Sequence, residues 1–279
     1  MFPLGITSFY HRINHDSQFF KSSKISTTPV FPVFTMSLRK YLFVFDFDWT
    51  MIDADSDHWT LKHCSEDLHA ALLANKTLQY TDLVAALLRE AHARGTMQSD
   101  ITRYLHTIPF SPAMLESLRL MHARSHDVLI LSDANSVFID EVLKCHGADA
   151  YVSCVVTNPA CWRDGVLLVH RHTVDPPHGC TDARCGVNLC KGVELDAYLA
   201  KHVYDRIVYC GDGANDVCPI RRLGEADAVV YRTGRMLERL LRDDAASAEP
   251  QIRARTVLPF STAEDALVHF KALMEDRPQ

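Results

Sequence analysis

Four short apolar runs, and a fifth interrupted by one serine, constrain this chain more than any other feature. Residues 41–45 (Tyr-Leu-Phe-Val-Phe) end at Asp46, and 128–131 end at Ser132-Asp133. Residues 207–210 run into Gly211-Asp212-Gly213, 228–231 form another such run, and 151–156 carry the serine. Apolar runs this short, without alternation, are the pattern of strands buried on both faces. A helical pattern over 137–145, stopped by Gly147, follows the second run. The expected fold class is therefore α/β, a Rossmann-like parallel sheet with helices on both sides. Ligands of such sheets bind beyond the carboxyl ends of the strands. Asp46, Ser132 and Asp212 all fall at those ends.

Between the first two runs lies an insert at about 55–120, too long for a bare connection. Leu68, Leu72, Leu83, Leu87 and Leu88 recur in it at helical spacing. It is expected to be a small helical cap whose apolar stripe serves packing. Arg163-Asp164-Gly165 suits a turn between two short strands, and Pro176-Pro177-His178-Gly179 opens a cysteine-bearing loop. With 279 residues, 47 % of them apolar, one core plus an inserted module is affordable in size. Residues 1–39 read as a separate N-terminal extension, and 40–279 as the main domain. The first forty residues hold one acid, Asp16, with Pro29 and Pro32 near their end. A disordered extension, or Met36 as the initiator, is expected ahead of a transit peptide, because arginine is sparse and amphipathic pattern weak.

Composition excludes several function classes. The formal net charge is −6, so no basic surface is available for nucleic acid, and the arginines of 221–242 are interleaved with acids. No segment approaches the ~18 consecutive apolar residues of a membrane span. Nine cysteines, an odd number, follow no secretory signal. Reduced thiols in a cytoplasmic protein are the expectation.

The chemistry begins with Asp46-Phe47-Asp48-Trp49-Thr50. A loop leaving a buried strand can aim two carboxylates at one pocket, one to attack phosphorus and one to handle the leaving-group proton. Close carboxylates resist ionising together, which favours that division. Alone, the pair could equally be a turn or helix cap. Gly211-Asp212-Gly213-Ala214-Asn215-Asp216 adds a hard oxygen ligand, Asp212, where small residues let backbone approach an ion such as Mg²⁺. Ser132 can bind a phosphoryl oxygen and Lys191 can neutralise its charge. Singly, Ser132 would more often cap the 137 helix and Lys191 sit on the surface. Together, in this order, the four elements point to magnesium-dependent phosphoryl chemistry on a small phosphorylated metabolite.

These residues resemble the haloacid dehalogenase superfamily, and more narrowly its branch of phosphoethanolamine/phosphocholine phosphatases and pyridoxal-phosphate phosphatases. The likeness rests on 42–48, 52–57, 131–140, Thr157-Asn158-Pro159, Asn188-Leu189-Cys190-Lys191, 209–219 and 257–260, and spans roughly 40 to 275. It implies that Asp46 is the nucleophile and forms an aspartyl-phosphate, while Asp48 acts as acid and base. It also implies Mg²⁺ on the Asp46 carboxylate, the Asp48 backbone carbonyl and Asp212. Ser132 and Lys191 would hold the phosphoryl group, supported by Thr50, Asn215 and Asp216. Trp49 departs from the small or polar residue that many relatives carry.

Asp57 and Asp133 correspond to substrate contacts in that branch. An anion there suits a cationic ethanolamine or choline ester, whereas helix capping is the plainer reading. Pyridoxal phosphate is the alternative substrate, and a non-catalytic metabolite sensor or interaction protein the alternative class. The run Asp53, Asp55, Asp57 fails as a calcium loop, since His58 stands where glycine is needed and Cys64 where glutamate is. No cysteine has an arginine six positions on, so a cysteine-nucleophile loop is absent. His178, Cys180, Cys185 and Cys190 have spacing that a structural Zn²⁺ site can use, with merely reduced thiols as the default.

Overall fold

A computed structural model describes residues 39–175, 177–182 and 185–275. The expected extension over residues 1–39 lies outside them, apart from Arg39. The chain runs β1 (Tyr41–Phe45), α1 (Ser56–Cys64), α2 (Glu66–Ala74), α3 (Tyr80–Ala93), α4 (Gln98–Leu105), α5 (Pro112–Ala123), β2 (Asp127–Asn135) and α6 (Ser136–Cys145). It continues through β3 (Cys154–Asn158), β4 (Ala160–Arg163), β5 (Val166–Val169), α7 (Lys191–Leu199), β6 (Arg206–Gly211) and α8 (Val217–Ile220). The last elements are β7 (Ala228–Arg232), α9 (Met236–Ala245), β8 (Thr256–Phe260) and α10 (Ala263–Glu275).

Six strands form one parallel sheet in the order β3-β2-β1-β6-β7-β8. β1 is central, and all five of its residues are buried. Alternation sends Phe43 and Phe45 to one face, where Phe270 of α10 meets both rings edge-on at 5.8 and 5.6 Å. Leu42 and Val44 go to the other face, into a second core with Leu195, Ile220 and Leu237. The strand therefore has no solvent face to mark with polar residues, which is why it reads as an unbroken apolar run. From β1 the chain builds outward through β2 to β3, then crosses back to β6, β7 and β8. The topological reversal at β1 opens a crevice at its carboxyl end.

Two details differ from the sequence reading. The third strand starts at Cys154, because 149–151 form a single 3₁₀ turn. An unanticipated sixth strand, β8, contains Pro259. It is the sheet edge, where the missing proline N–H costs no ladder bond.

The insert is helical, as expected of a cap. α1 packs on α2, α3 and α4, and the anticipated stripe is buried, from Leu88 at 1 % to Leu87 at 9 % exposed. α5, begun by Ser111 accepting from Ala113 N–H with Pro112 in the first turn, packs instead on α10 and β2. The β4–β5 hairpin, turning through Asp164 and Gly165 at positive φ, leans on α3. An Arg171–Asp82 ion pair ties the segment after β5 to α3 as well. Among the described residues no helix is long and apolar enough to cross a membrane.

Candidate active site

Where β1 ends, Asp46 begins an irregular turn. Its backbone N–H still donates to Cys210 C=O of β6 at 2.9 Å, so the sheet holds it in register. The turn over Phe47–Met51 closes with Ile52 N–H on Phe47 C=O and Trp49 N–H on Ala54 C=O. Trp49 sits at φ 55°, the left-handed region that a bulky side chain rarely adopts. Its ring lies 4.3 Å from the Arg235 guanidinium. Arg232, at the end of β7, pairs with Asp53 and pins the far side of the turn. Thr50 is buried, with no hydrogen-bond partner for its hydroxyl among the described residues.

The floor of the site is an ionic lattice. Lys191 is 1 % exposed, not the surface lysine that a helix start would suggest, and its Nζ lies 2.6 Å from Asp46 Oδ2 and 2.8 Å from Asp216 Oδ1. Asp216 also accepts from Tyr209 O–H at 2.7 Å and from the N–H groups of Asp212 and Gly213, both at 2.9 Å. Every acceptor site of this fully buried carboxylate is thus in use. Gly211 is required here by close approach: a Cβ on it would stand 2.5 Å from Asp216 Oδ2. Carboxylate oxygens of Asp46, Asp212 and Asp216 gather within 4.8 Å of one another. Such a convergence of buried anions suits a hard divalent cation, and Asp46 and Asp212 are the members with capacity to spare. Asp46 Oδ1 accepts from Phe47 N–H at 2.7 Å, and Asp212 Oδ2 from Arg235 Nε at 2.9 Å.

Burial pushes the Asp46 carboxyl up to about 8, with Asp216 and Asp212 adding to the rise and Lys191 opposing it. Burial likewise raises Asp212, helped by Asp216 and opposed by Arg235. Asp48 is turned away from the lattice and accepts from Ser56 N–H at 2.9 Å and Ser56 O–H at 3.2 Å. Burial, then the charges of Asp55 and Asp57, holds it well above the usual carboxylate range. A protonated carboxyl in that position has a proton to give.

The opposite wall carries Asp55, Asp57, Tyr80, Thr81 and Asp133 around a cavity of about 380 Å³. Here the capping alternatives are resolved by geometry. Asp55 caps α1, accepting from His58 N–H at 2.9 Å, which leaves Asp57 free of that duty. Asp57 is 6 % exposed, and its Oδ1 has no hydrogen-bond partner among the described residues. Burial raises its pKa well above normal, with Asp55 and Asp133 adding to the effect. Asn135, not Ser132 or Asp133, caps α6 by accepting from Phe138 N–H at 3.1 Å. Ser132 is left lining the cavity from the carboxyl-terminal half of β2, its Oγ accepting from Ala134 N–H at 3.2 Å. Asp133 Oδ2 accepts from Asn215 Nδ2 at 2.8 Å, and burial raises its pKa against the pull of Lys191 and Asn215.

All of Asp46, Asp48, Ser132, Asp57, Asp133, Asp212 and Asn215 line this one cavity. Lys191 and Asp216 lie beneath it. Sequence reasoning gave no role to Ser56, Tyr80 or Arg235. Ser56 had a legible signal as the neighbour of the Asp55 cap, and Arg235 follows the carboxyl end of β7. Tyr80 had none, since it reaches the cavity only through the way α3 packs. One expected grouping is corrected. His178 stands at the edge of the cysteines, its Nε2 4.0 Å from Cys185 Sγ, but its Nδ1 accepts from Cys180 N–H at 3.1 Å and its Nε2 meets Gly186 C=O at 2.7 Å. Cys218 stands with the three cysteines instead.

Comparison with known proteins gives a consistent result. The model of the family described as "Putative Phosphatase" matches residues 41–274. The chain is 34 % identical to pyridoxal phosphate phosphatase PHOSPHO2 of Rattus norvegicus, over 85 % of this chain and 99 % of that protein. It is 30 % identical to phosphoethanolamine/phosphocholine phosphatase of Homo sapiens, over 85 % of this chain and 90 % of that one. A substrate-bound phosphoserine phosphatase structure superposes with a TM-score of 0.54 at 13 % identity, covering 83 % of this chain and 98 % of its own. That last likeness concerns the fold alone.

Proposed function

Because the chain belongs to the "Putative Phosphatase" family, and so is a haloacid dehalogenase-type phosphoric monoester hydrolase, we propose that it cleaves a small cationic phosphomonoester through an aspartyl-phosphate on Asp46. The observation that carries the chemistry is the Lys191 ammonium between Asp46 and Asp216, at 2.6 and 2.8 Å, where β1 and β6 end. In this reading Asp46 attacks phosphorus, and Asp48 gives its proton to the departing alkoxide oxygen. Asp48, now ionised, takes a proton from water as the water oxygen attacks phosphorus and frees Asp46. Ser132 O–H and Lys191 Nζ hold the phosphoryl oxygens. The carboxylates of Asp46 and Asp212, with the Asp48 backbone carbonyl, would hold Mg²⁺, and Asp216 and Asn215 would brace its surroundings. Bound there, magnesium supplies charge neutralisation for the phosphoryl group and keeps Asp46 ionised.

Substrate choice rests on the wall. Asp57 brings a carboxyl to the cavity with Asp55 and Asp133 beside it, and Tyr80 lines the same cavity with a ring of the kind that receives ammonium groups. A cationic head group complements that wall. Phosphoethanolamine or phosphocholine therefore leads. Pyridoxal 5′-phosphate is the second reading, favoured by the 34 % identity to a phosphatase named for it. The nine free cysteines accord with a reducing, cytoplasmic setting. The test is a panel of phosphomonoesters with Mg²⁺, repeated in EDTA. Preferred turnover of the ethanolamine or choline ester, lost on chelation and regained with Mg²⁺ but poorly with Ca²⁺, is expected. Full activity after exhaustive chelation overturns the metal assignment, and preference for pyridoxal phosphate promotes the second reading.

A further inference from the structure

A second cluster with metal-ligand chemistry lies behind the catalytic floor. The Sγ atoms of Cys180, Cys185, Cys190 and Cys218 all lie within 4.8 Å of one another. Cys180 and Cys218 are 3.6 Å apart, and Cys190 and Cys218 are 3.5 Å apart. A disulfide would bring two sulfurs to about 2.05 Å, and all four cysteines are free. Thiolates about 2.3 Å from a tetrahedral zinc stand roughly 3.8 Å from each other. The observed spacing is close to that of such a shell.

We propose that Cys180, Cys185, Cys190 and Cys218 hold one structural Zn²⁺, which locks the catalytic lysine against its buried acid. Three ligands come from one loop and the fourth from a segment 28 residues beyond Cys190 in the chain. The described residues of that loop, between β5 and α7, form no regular secondary structure, and few of them reach the apolar core. A metal brace replaces the core it lacks. The brace is placed to matter. Cys190 caps α7, its Sγ accepting from Val193 N–H at 3.5 Å, and the next residue is Lys191. Cys218 lies in α8, two residues after Asp216. Joining these sulfurs clamps together the two segments whose neighbouring side chains, Lys191 and Asp216, meet at 2.8 Å.

The surroundings suit thiolates. As each Zn–S bond forms, the thiol proton passes to solvent, so four thiolates on one Zn²⁺ leave a net charge of −2. Arg222 Nη1 lies 3.0 Å from Cys218 Sγ and opposes that charge, while the Val193 N–H supports Cys190. Gly192 also fits this packing, since a Cβ there would stand 2.8 Å from Cys218 Sγ. His178 lies at the edge of the cluster, its Nε2 4.0 Å from Cys185 Sγ but 2.7 Å from Gly186 C=O, and its Nδ1 accepts from Cys180 N–H. A four-sulfur tetrahedral shell selects zinc, or iron, over magnesium and calcium.

The experiment uses the full chain purified without chelator and needs no assay of turnover. Metal analysis is expected to give about one zinc per chain, and X-ray absorption at the zinc edge a shell of four sulfurs. Replacing zinc with Co²⁺ should produce intense sulfur-to-cobalt charge-transfer bands. Cys218→Ser should lose the metal, whereas His178→Ala should keep it. Asp46→Asn, which alters only the catalytic floor, should leave zinc content unchanged, so this result stands whether or not the proposed reaction does. Protein free of zinc, a mass two lower per disulfide, or an absorption shell containing nitrogen would each overturn the proposal. If Cys218→Ser does not fold, the wild-type absorption shell decides.

Discussion

The floor and the wall of the cavity are both lined with buried carboxylates, yet they are built on opposite principles. On the floor every charge has a partner: Lys191 answers Asp46 and Asp216, Arg235 answers Asp212, and Asp216 has four donors. On the wall, Asp57 keeps an oxygen with none among the described residues, and the neighbouring carboxyls of Asp55 and Asp133 oppose its ionisation. A paired buried charge serves geometry, because moving either member leaves the other unpaired at high cost. An unpaired one is a standing destabilisation that a ligand can relieve. In the proposed reaction the floor would be preorganised for a phosphoryl group common to many substrates. The wall would be completed by a particular leaving group.

The harshest way to break this comparison is at Asp46, the proposed nucleophile. Asp46→Asn should reduce turnover to background on every ester, with folding intact, since an amide does not attack phosphorus. Residual activity within tenfold of wild type would sink the assignment. Next comes Gly211→Ala, which drives a methyl group against Asp216 and disturbs the lattice without removing any charge. Overpacking of this sort costs about 1–3 kcal/mol. We expect a lower Tm and a fall in kcat shared equally by cationic and neutral substrates. An unchanged kcat would mean that Asp216 is structural only.

The wall should respond selectively. Asp57→Asn removes a charged hydrogen bond worth roughly 1.5–3 kcal/mol, so kcat/KM for phosphoethanolamine and phosphocholine should fall about tenfold or more. Glycerol phosphate should be nearly unaffected, and equal losses on both would assign Asp57 to structure. The same variant yields the smallest effect and the opposite sign. Asp57 has a raised pKa in the folded chain, so below the ordinary carboxylate pKa, near 3.8, it is protonated in both states and contributes no penalty. Above that value the unfolded chain ionises while the folded one resists, and stability is lost as pH climbs toward the folded pKa. Asp57→Asn should therefore raise Tm at neutral pH by roughly 2–4 °C, the shift expected of about 1 kcal/mol in a chain this size. The gain should shrink on acidification toward pH 4. A Tm that falls at neutral pH contradicts an unrelieved carboxylate on the wall.

How much of this was legible beforehand depends on the range of the interaction. The sheet was readable because β1 and its neighbours are buried on both faces, which leaves a local signature of consecutive apolar residues. β8 was not, since Pro259 argues against a strand unless that strand is known to lie at an edge. The acids that gather at the cavity floor were readable from their place after apolar runs. The division of labour among neighbours was not. Asp55, Ser56 and Asp57 are three plausible caps for one helix, and only packing against Asp48 and the cavity shows that Asp55 caps, Ser56 holds Asp48, and Asp57 lines the cavity.

By itself, then, the sequence determined the α/β sheet, the helical insert and the residues that meet where β1, β2 and β6 end, because each depends on patterns within a few residues. Only the tertiary structure decided which partner each of those residues has. Lys191 finds Asp216 across 25 positions and Asn215 finds Asp133 across 82. Cys218 displaces His178 from the cysteine cluster for the same reason: spacing along the chain limits which side chains are able to meet, but the packing of α7 against α8 selects the ones that do.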